Sequence, residues 1–217
     1  VHWVEGDLRA FREPRDWHAL VDGMDAVVNC AGALQDTPRD DVSAVQDRAM
    51  RALYLAAEGK PGLRIVQISA ARSLAGSNTE FMETKLKADT ALARSGVDHV
   101  ILRPALVLGR NAHGGSALLR ALSAMPFALP LAYPDSVVET VSLERLASAA
   151  SSAVAGEMPG GADIDLIDNR TTLKALVSAH RNWLGLPPAP VIAVPGAIAG
   201  VLSKIADLAG HLGWRSP

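Results

Sequence analysis

Short apolar runs and stretches of helical spacing alternate through the first 109 residues. "VHWVE" alternates as a strand does over Val1 to Glu5, and Gly6 with Asp7 closes it in a turn. In "RDWHALVDGM" the residues Trp17, Leu20, Val21 and Met24 share one helical face, and Gly23 marks its end. "DAVVNCAG" is continuously apolar up to Gly32, the pattern of a strand buried on both faces of a parallel sheet. A helix over residues 41–58 ends at "GKPG". The strand "RIVQIS", a helix over 78–94 and "DHVILRPALVLG", a strand running into a loop, then follow. This alternation predicts right-handed βαβ units and a parallel sheet.

Beyond Gly109 the rhythm loosens. "HGGSALLRALSAM" reads as a helix, "PFALPLAYPDS" as a proline-rich loop, "VVETVS" as a strand and "LERLASAASSAVAG" as a helix with an Ala/Leu stripe. "ADIDLID" reads as a strand, followed by the helices "TTLKALVSAHRNWLG" and "VPGAIAGVLSKIADLAGHL". In the last helix Ile198, Val201, Leu202, Ile205, Leu208 and Leu212 form an apolar face, expected to pack on the body of the domain, with a partner or membrane surface as the alternative. The expected division is a doubly wound Rossmann-like domain over residues 1–109 and 136–156, and a smaller substrate-side lobe over 110–135 and 157–217. No internal repeat or low-complexity segment interrupts it.

Composition narrows the possible partners. The 217 residues are 49% hydrophobic, enough for one sizeable core with an appendage. The net charge is -2, from 21 basic and 23 acidic residues without long single-sign runs, so nucleic acid and anionic lipid are not expected partners. The single cysteine, Cys30, sits in an apolar run and is expected to be a buried thiol. With no intrachain disulfide possible, a reducing cytoplasm fits. Neither an apolar run of membrane-spanning length nor a secretory leader is visible. The six histidines have no metal-ligand spacing, so no metal site is expected.

Parallel strands deliver their carboxyl ends to one edge, where open α/β sheets bind ligands. Gly6, Asp7 and Leu8 follow the first predicted strand, and Asn29, Ala31 and Gly32 end the second. Ser69 and Ala70 end the third, and Arg103, Pro104 and Ala105 the fourth. Each has an ordinary explanation as a turn or cap residue. Their joint placement is the signal.

In order and spacing, "VEGDL", "LVDGMDAVVNCAG", "IVQISA", "FMETKLKAD" and "VILRPALVLG" resemble the extended and atypical short-chain dehydrogenase/reductases. The nearer likeness is to the NAD(P)H-binding branch that includes the NmrA-like proteins and the Rossmann-fold accessory subunit of respiratory complex I. The resemblance covers roughly residues 1–150 and implies NAD or NADP as cofactor. It implies that Asp7 and Leu8 contact the adenine, and that Asn29, Ala31 and Gly32 run beneath the adenosine and pyrophosphate. It places Ser69 beside the nicotinamide, Lys85 on the nicotinamide ribose, and the segment from Pro104 through Ala105 to Val107 near the carboxamide. A residue at 81 and a lysine at 85 lie one turn apart on a helix, so both can face one ribose and one substrate oxygen.

Two departures stand out. Phe81 occupies the place of the family's proton-donating tyrosine, and no Gly-x-x-Gly-x-x-Gly turn occurs in the chain. Glu83 lies about 200° round the helix from Phe81. Tyr54 is placed by no motif, whereas Tyr133 and His113, in loops on the expected substrate side, are the remaining candidates for a relocated acid. In a sheet of order 3-2-1-4-5-6 two strands would stand between the strand at Val1 and "DAVVNCAG". The expectation is therefore that a first βαβ unit of about 60 residues precedes Val1, the alternative being that this strand docks elsewhere. Two functional readings stay open: an oxidoreductase acting on a small molecule, and a non-catalytic NAD(P)H-binding redox sensor or accessory subunit with a protein partner.

Overall fold

The computed structural model describes residues 2–33, 36, 41–74, 79–111, 114–196 and 200. They fall into two compact units, Val1–Pro104 with Ala147–Leu166, and Ala105–Leu146 with Ile167–Pro217.

In the first unit, helix α1 (Pro14–Val21) opens with proline in its first turn and a reciprocal cap between Glu13 and Asp16. Its buried Trp17 donates Nε1–H to Ala49 O at 3.1 Å, and Gly23 turns the chain at φ 69°. Strand β1 (Ala26–Asn29) follows. A π-helical turn, Ala44–Arg48, then leads into α2 (Ala49–Glu58), whose Met50, Leu53 and Tyr54 are almost wholly buried. Next come β2 (Arg64–Ile68), α3 (Glu80–Arg94), capped by the Thr79 side chain, and β3 (Asp98–Pro104). The sheet is wholly parallel in the order β1-β2-β3 and then the later strand β7 (Ala162–Leu166). Its core joins Trp17, Val21, Met50, Leu53, Ile65, Leu92 and Ile101.

The second unit contains β4 (Leu106–Leu108), α4 (Gly115–Ser123), β5 (Leu129–Ala132), β6 (Val137–Ser142), β8 (Asn169–Thr172), α6 (Leu173–Trp183) and β9 (Val191–Val194). Helix α5 (Leu143–Val154) contains the sequence boundary between the units. Strand β6 pairs parallel with β4 and antiparallel with β8. Leu119, Leu129, Leu131, Leu176 and Val177 form a separate core.

Five expectations are corrected. Residues 2–7 form no strand, because no described strand supplies the ladder partner that an extended segment needs. Strand β1 is not buried on both faces among the described residues, since its Val28 is exposed. Cys30, just past it, is exposed too. The domain boundary shifts because hydrogen bonding overrides sequence order: β7, assigned to the lobe, pairs with β3, whereas residues 136–146, assigned to the sheet domain, belong to the second unit. Within "PFALPLAYPDS", Leu129–Ala132 pairs parallel with β9 rather than looping. Each strand of that two-stranded ladder is an edge, where Pro130 is tolerated. Most of the expected last helix, like His113, lies outside the described residues.

Candidate functional site

The carboxyl ends of β1, β2 and β3 and the inner face of α3 enclose a polar cluster in the first unit. Phe81, Lys85 and Asp89 stand four residues apart on α3 and so share a face. Phe81 is half-buried, and Lys85 and Asp89 are buried. The Lys85 ammonium donates to Ala31 O and Ile68 O, both at 3.0 Å, bridging the chain just past β1 to the last residue of β2. Burial pushes its pKa below 10.5, opposed by the nearby Asp89 carboxylate. Two of its three hydrogens are committed, and the third has no partner among the described residues.

Ser69 is tied to β3 through its backbone N–H, which donates to Leu102 O at 2.8 Å. Its hydroxyl donates to Asp89 Oδ2 at 2.5 Å. The same carboxylate oxygen accepts from Arg103 Nη1 at 2.8 Å, and Arg103 is gripped from its other side by Asp163 of β7, at 2.6 and 3.1 Å. Asp163 and Asp165, two apart and so on one face of β7, both pair with Arg72. Burial pushes the Asp89 carboxyl above 3.8, against the pull of the Ser69 hydroxyl and Arg103. Burial acts on Asp163 too but is outweighed by Arg103 and Arg72, which hold it below 3.8.

Asn29 and Gln67 are register partners on β1 and β2. Asn29 Nδ2 donates to Gln67 Oε1 at 2.7 Å, and Asn29 Oδ1 accepts from Ala31 N at 2.9 Å, which fixes the chain leaving β1. Tyr54 also donates its hydroxyl to Gln67 Oε1, at 3.0 Å, and burial pushes its pKa well above 10.0. A hydroxyl so enclosed and committed is no substitute for the acid missing at Phe81. Gln46, in the π-helical turn, donates to Ala33 O at 3.0 Å, and its buried Oε1 has no partner among the described residues.

The structure thus brings Asn29, Ala31, Gly32, Ser69, Lys85 and Pro104 to one sheet edge, the carbonyl of Pro104 accepting from Ala71 N at 3.1 Å. Asp7 and Leu8 sit in a 3-10 turn, where the Asp7 carboxylate is engaged by the Arg9 side chain at 2.6 Å and caps the turn. Ala105 and Val107 belong to the second unit. So does Tyr133, exposed and in the left-handed region at φ 51°. Sequence reading missed Asp89, Gln46 and the partners of Arg103. One signal was available: an arginine within the apolar strand "VILRP" requires a buried counter-charge. Among the described residues no cluster of His, Cys, Asp and Glu has metal-binding geometry, and no helix is long and apolar enough to cross a membrane.

A parallel sheet with small residues and a bridging lysine at its carboxyl edge defines an α/β protein of the dinucleotide-binding class. The family described as NAD(P)H-binding matches residues 1–123, over half of the chain, and the chain belongs to that family. No curated protein matches it. Among solved structures it is similar to the Bordetella bronchiseptica enzyme WbmH in complex with NAD+, at 20% identity and a TM-score of 0.71, covering 88% of this chain and 69% of that one. It is likewise similar to dTDP-glucose 4,6-dehydratase from Bacillus anthracis in complex with NAD, at 14% identity and a TM-score of 0.71, covering 89% and 67%. For B. bronchiseptica WbmG in complex with NAD the figures are 20%, 0.66, 88% and 66%, so the chain spans just under two thirds of that enzyme. The fold is Rossmann-like, as in these NAD-bound enzymes, and the family's cofactor is NAD or NADP.

The residues present fit one half of such a cofactor. A Cβ at Gly32 would stand 3.6 Å from Gln46 Oε1 and 3.7 Å from Lys85 Nζ, so glycine keeps clear a space beside the ammonium and the unpartnered amide oxygen. A ribose hydroxyl, both donor and acceptor, suits that pair of groups. The chain carries no glycine-rich turn for the pyrophosphate.

Proposed function

We propose that the protein is a short-chain-dehydrogenase-like oxidoreductase of a small molecule, using NAD or NADP, in which Phe81 replaces the usual tyrosine. The observation that carries the reading is Lys85: a buried ammonium at the carboxyl edge, held by the carbonyls of Ala31 and Ile68, with one N–H to give. Lys85 would hold the ribose, while Ser69, at the adjoining strand end, and the Asn29–Gly32 segment would border the ring and its linkage. When bound, the dinucleotide supplies hydride exchange. Phe81 offers no proton to a substrate oxygen, so any turnover is slow unless another group donates.

Phe81 also favours a second reading, a redox sensor or accessory subunit that holds the dinucleotide for a protein partner. Lys85 needs no proton transfer to hold a ribose. On either reading nucleic acid is not a partner, and the location is a reducing cytoplasm.

Titration with NADH and NADPH, followed by fluorescence, tests both. Binding together with turnover of any member of a carbonyl panel supports the oxidoreductase. Binding without turnover supports the accessory reading, and absence of binding overturns both. Lys85→Met is expected to weaken binding about tenfold, the worth of one charge-assisted hydrogen bond.

A further inference from the structure

The hydrogen of Ser69 has one available destination. Asp89 Oδ2 lies 2.5 Å from Ser69 Oγ, and the Arg103 guanidinium, 2.8 Å from the same oxygen, pairs with the carboxylate. An ionised carboxylate only accepts, so the serine must donate to it. Arg103 cannot turn away, because Asp163 holds its other edge through two hydrogen bonds. With its hydrogen spent inward, Ser69 presents only lone pairs, one of them loosely engaged by Arg103 Nη1 at 3.4 Å. Phe81, a turn before Lys85, adds no hydroxyl. Between them, Ser69 and Phe81 therefore offer no O–H to a ligand carbonyl.

We infer that Ser69 is a hydrogen-bond acceptor towards the ligand, selecting an N–H donor, and that Asp89 and Arg103 are positioning residues that fix this polarity. Resting on the dinucleotide reading above, the donor is the amino group of the nicotinamide carboxamide. A serine with its hydrogen free would instead bind a carbonyl oxygen. Here the buried ion pair removes that choice before the ligand arrives, so a tyrosine added at position 81 would be the sole O–H donor of the two.

The test compares NAD with 3-acetylpyridine adenine dinucleotide, in which a methyl group replaces the carboxamide amino group, by calorimetric titration of the unaltered chain and of Ser69→Ala. The unaltered chain is expected to prefer NAD about fivefold to tenfold, the worth of one hydrogen bond. Ser69→Ala is expected to bring the ratio close to one. Asp89→Ala, which removes the inward acceptor and leaves the serine hydrogen free to turn outward, should lower the ratio too. If that variant fails to fold, Ser69→Ala decides alone. A ratio near one in the unaltered chain, or one unchanged by Ser69→Ala, overturns the inference while leaving dinucleotide binding intact. Binding of neither compound overturns the dinucleotide reading and the inference with it.

Discussion

Each unit buries an arginine, and the two are satisfied by different chemistry. Arg103 in the first unit faces the carboxylates of Asp89 and Asp163. Arg181 in the second donates to three backbone carbonyls, those of Pro187 at 2.5 Å, Ser123 at 3.0 Å and Met125 at 2.6 Å. The carbonyl-bound arginine ties the end of α4 and the segment after α6 to α6, and none of its partners titrates. The carboxylate-bound arginine belongs to a network that titrates and that orients a serine hydroxyl. Burying a cation is costly in both units, yet only in the first does the solution leave adjustable chemistry at the sheet edge.

Arg103→Met gives the largest expected effect. It strands Asp89 in the core, whereas Asp163 keeps Arg72 at 2.9 Å, and the expected loss is about 3 to 5 kcal/mol at neutral pH. Asp89 already titrates above 3.8 because burial disfavours its charge. A carboxyl with a raised folded-state pKa binds protons more readily folded than unfolded, so stability falls as pH rises through that window and returns as pH falls. Urea denaturation should therefore show a smaller loss at about pH 5 than at about pH 7. Equal losses would mean that Asp89 is not the group left uncompensated.

Arg181→Met should cost about 2 to 3 kcal/mol through carbonyls left without a donor. The loss should not change between those two pH values, since no carboxylate is released. A pH-dependent loss here would erase the contrast between the units.

Tyr54→Phe is the mildest change. It removes one donor to Gln67 Oε1, which keeps Asn29 at 2.7 Å, so a loss of about 1 kcal/mol is expected in thermal or urea melts. A loss several times larger would mean that the hydroxyl contributes more than its one hydrogen bond to Gln67 Oε1.

Much of the first unit was legible in the sequence because its signals are local. Trp17 and Val21 fall on the buried side of α1 as their spacing requires, and β2 and β3 appear where "RIVQIS" and "DHVILRPALVLG" read as strands. The same locality placed Lys85 and Phe81 on one helix and Ser69 at a strand end. It failed wherever pairing was at stake. "VHWVE" has the alternation of a strand but no described partner, and Leu129–Ala132 became a strand, despite Pro130, because Val191–Val194 lies beside it. Asn169–Thr172, polar throughout, gave no apolar pattern to read, and it exists as a strand through its ladder with β6.

The sequence by itself determined the alternation of helices and strands, the parallel sheet that short βαβ connections impose, and the missing hydroxyl at Phe81. These depend on side-chain periodicity and identity, which adjacent residues carry. The tertiary structure alone decided that β7 completes the sheet, and that Asp89, Arg103 and Asp163, up to 74 positions apart in the chain, meet behind Ser69. Backbone hydrogen bonding accepts almost any residue as a ladder partner, and a buried charge takes whichever counter-charge the fold brings within reach, so neither choice is written in a local pattern.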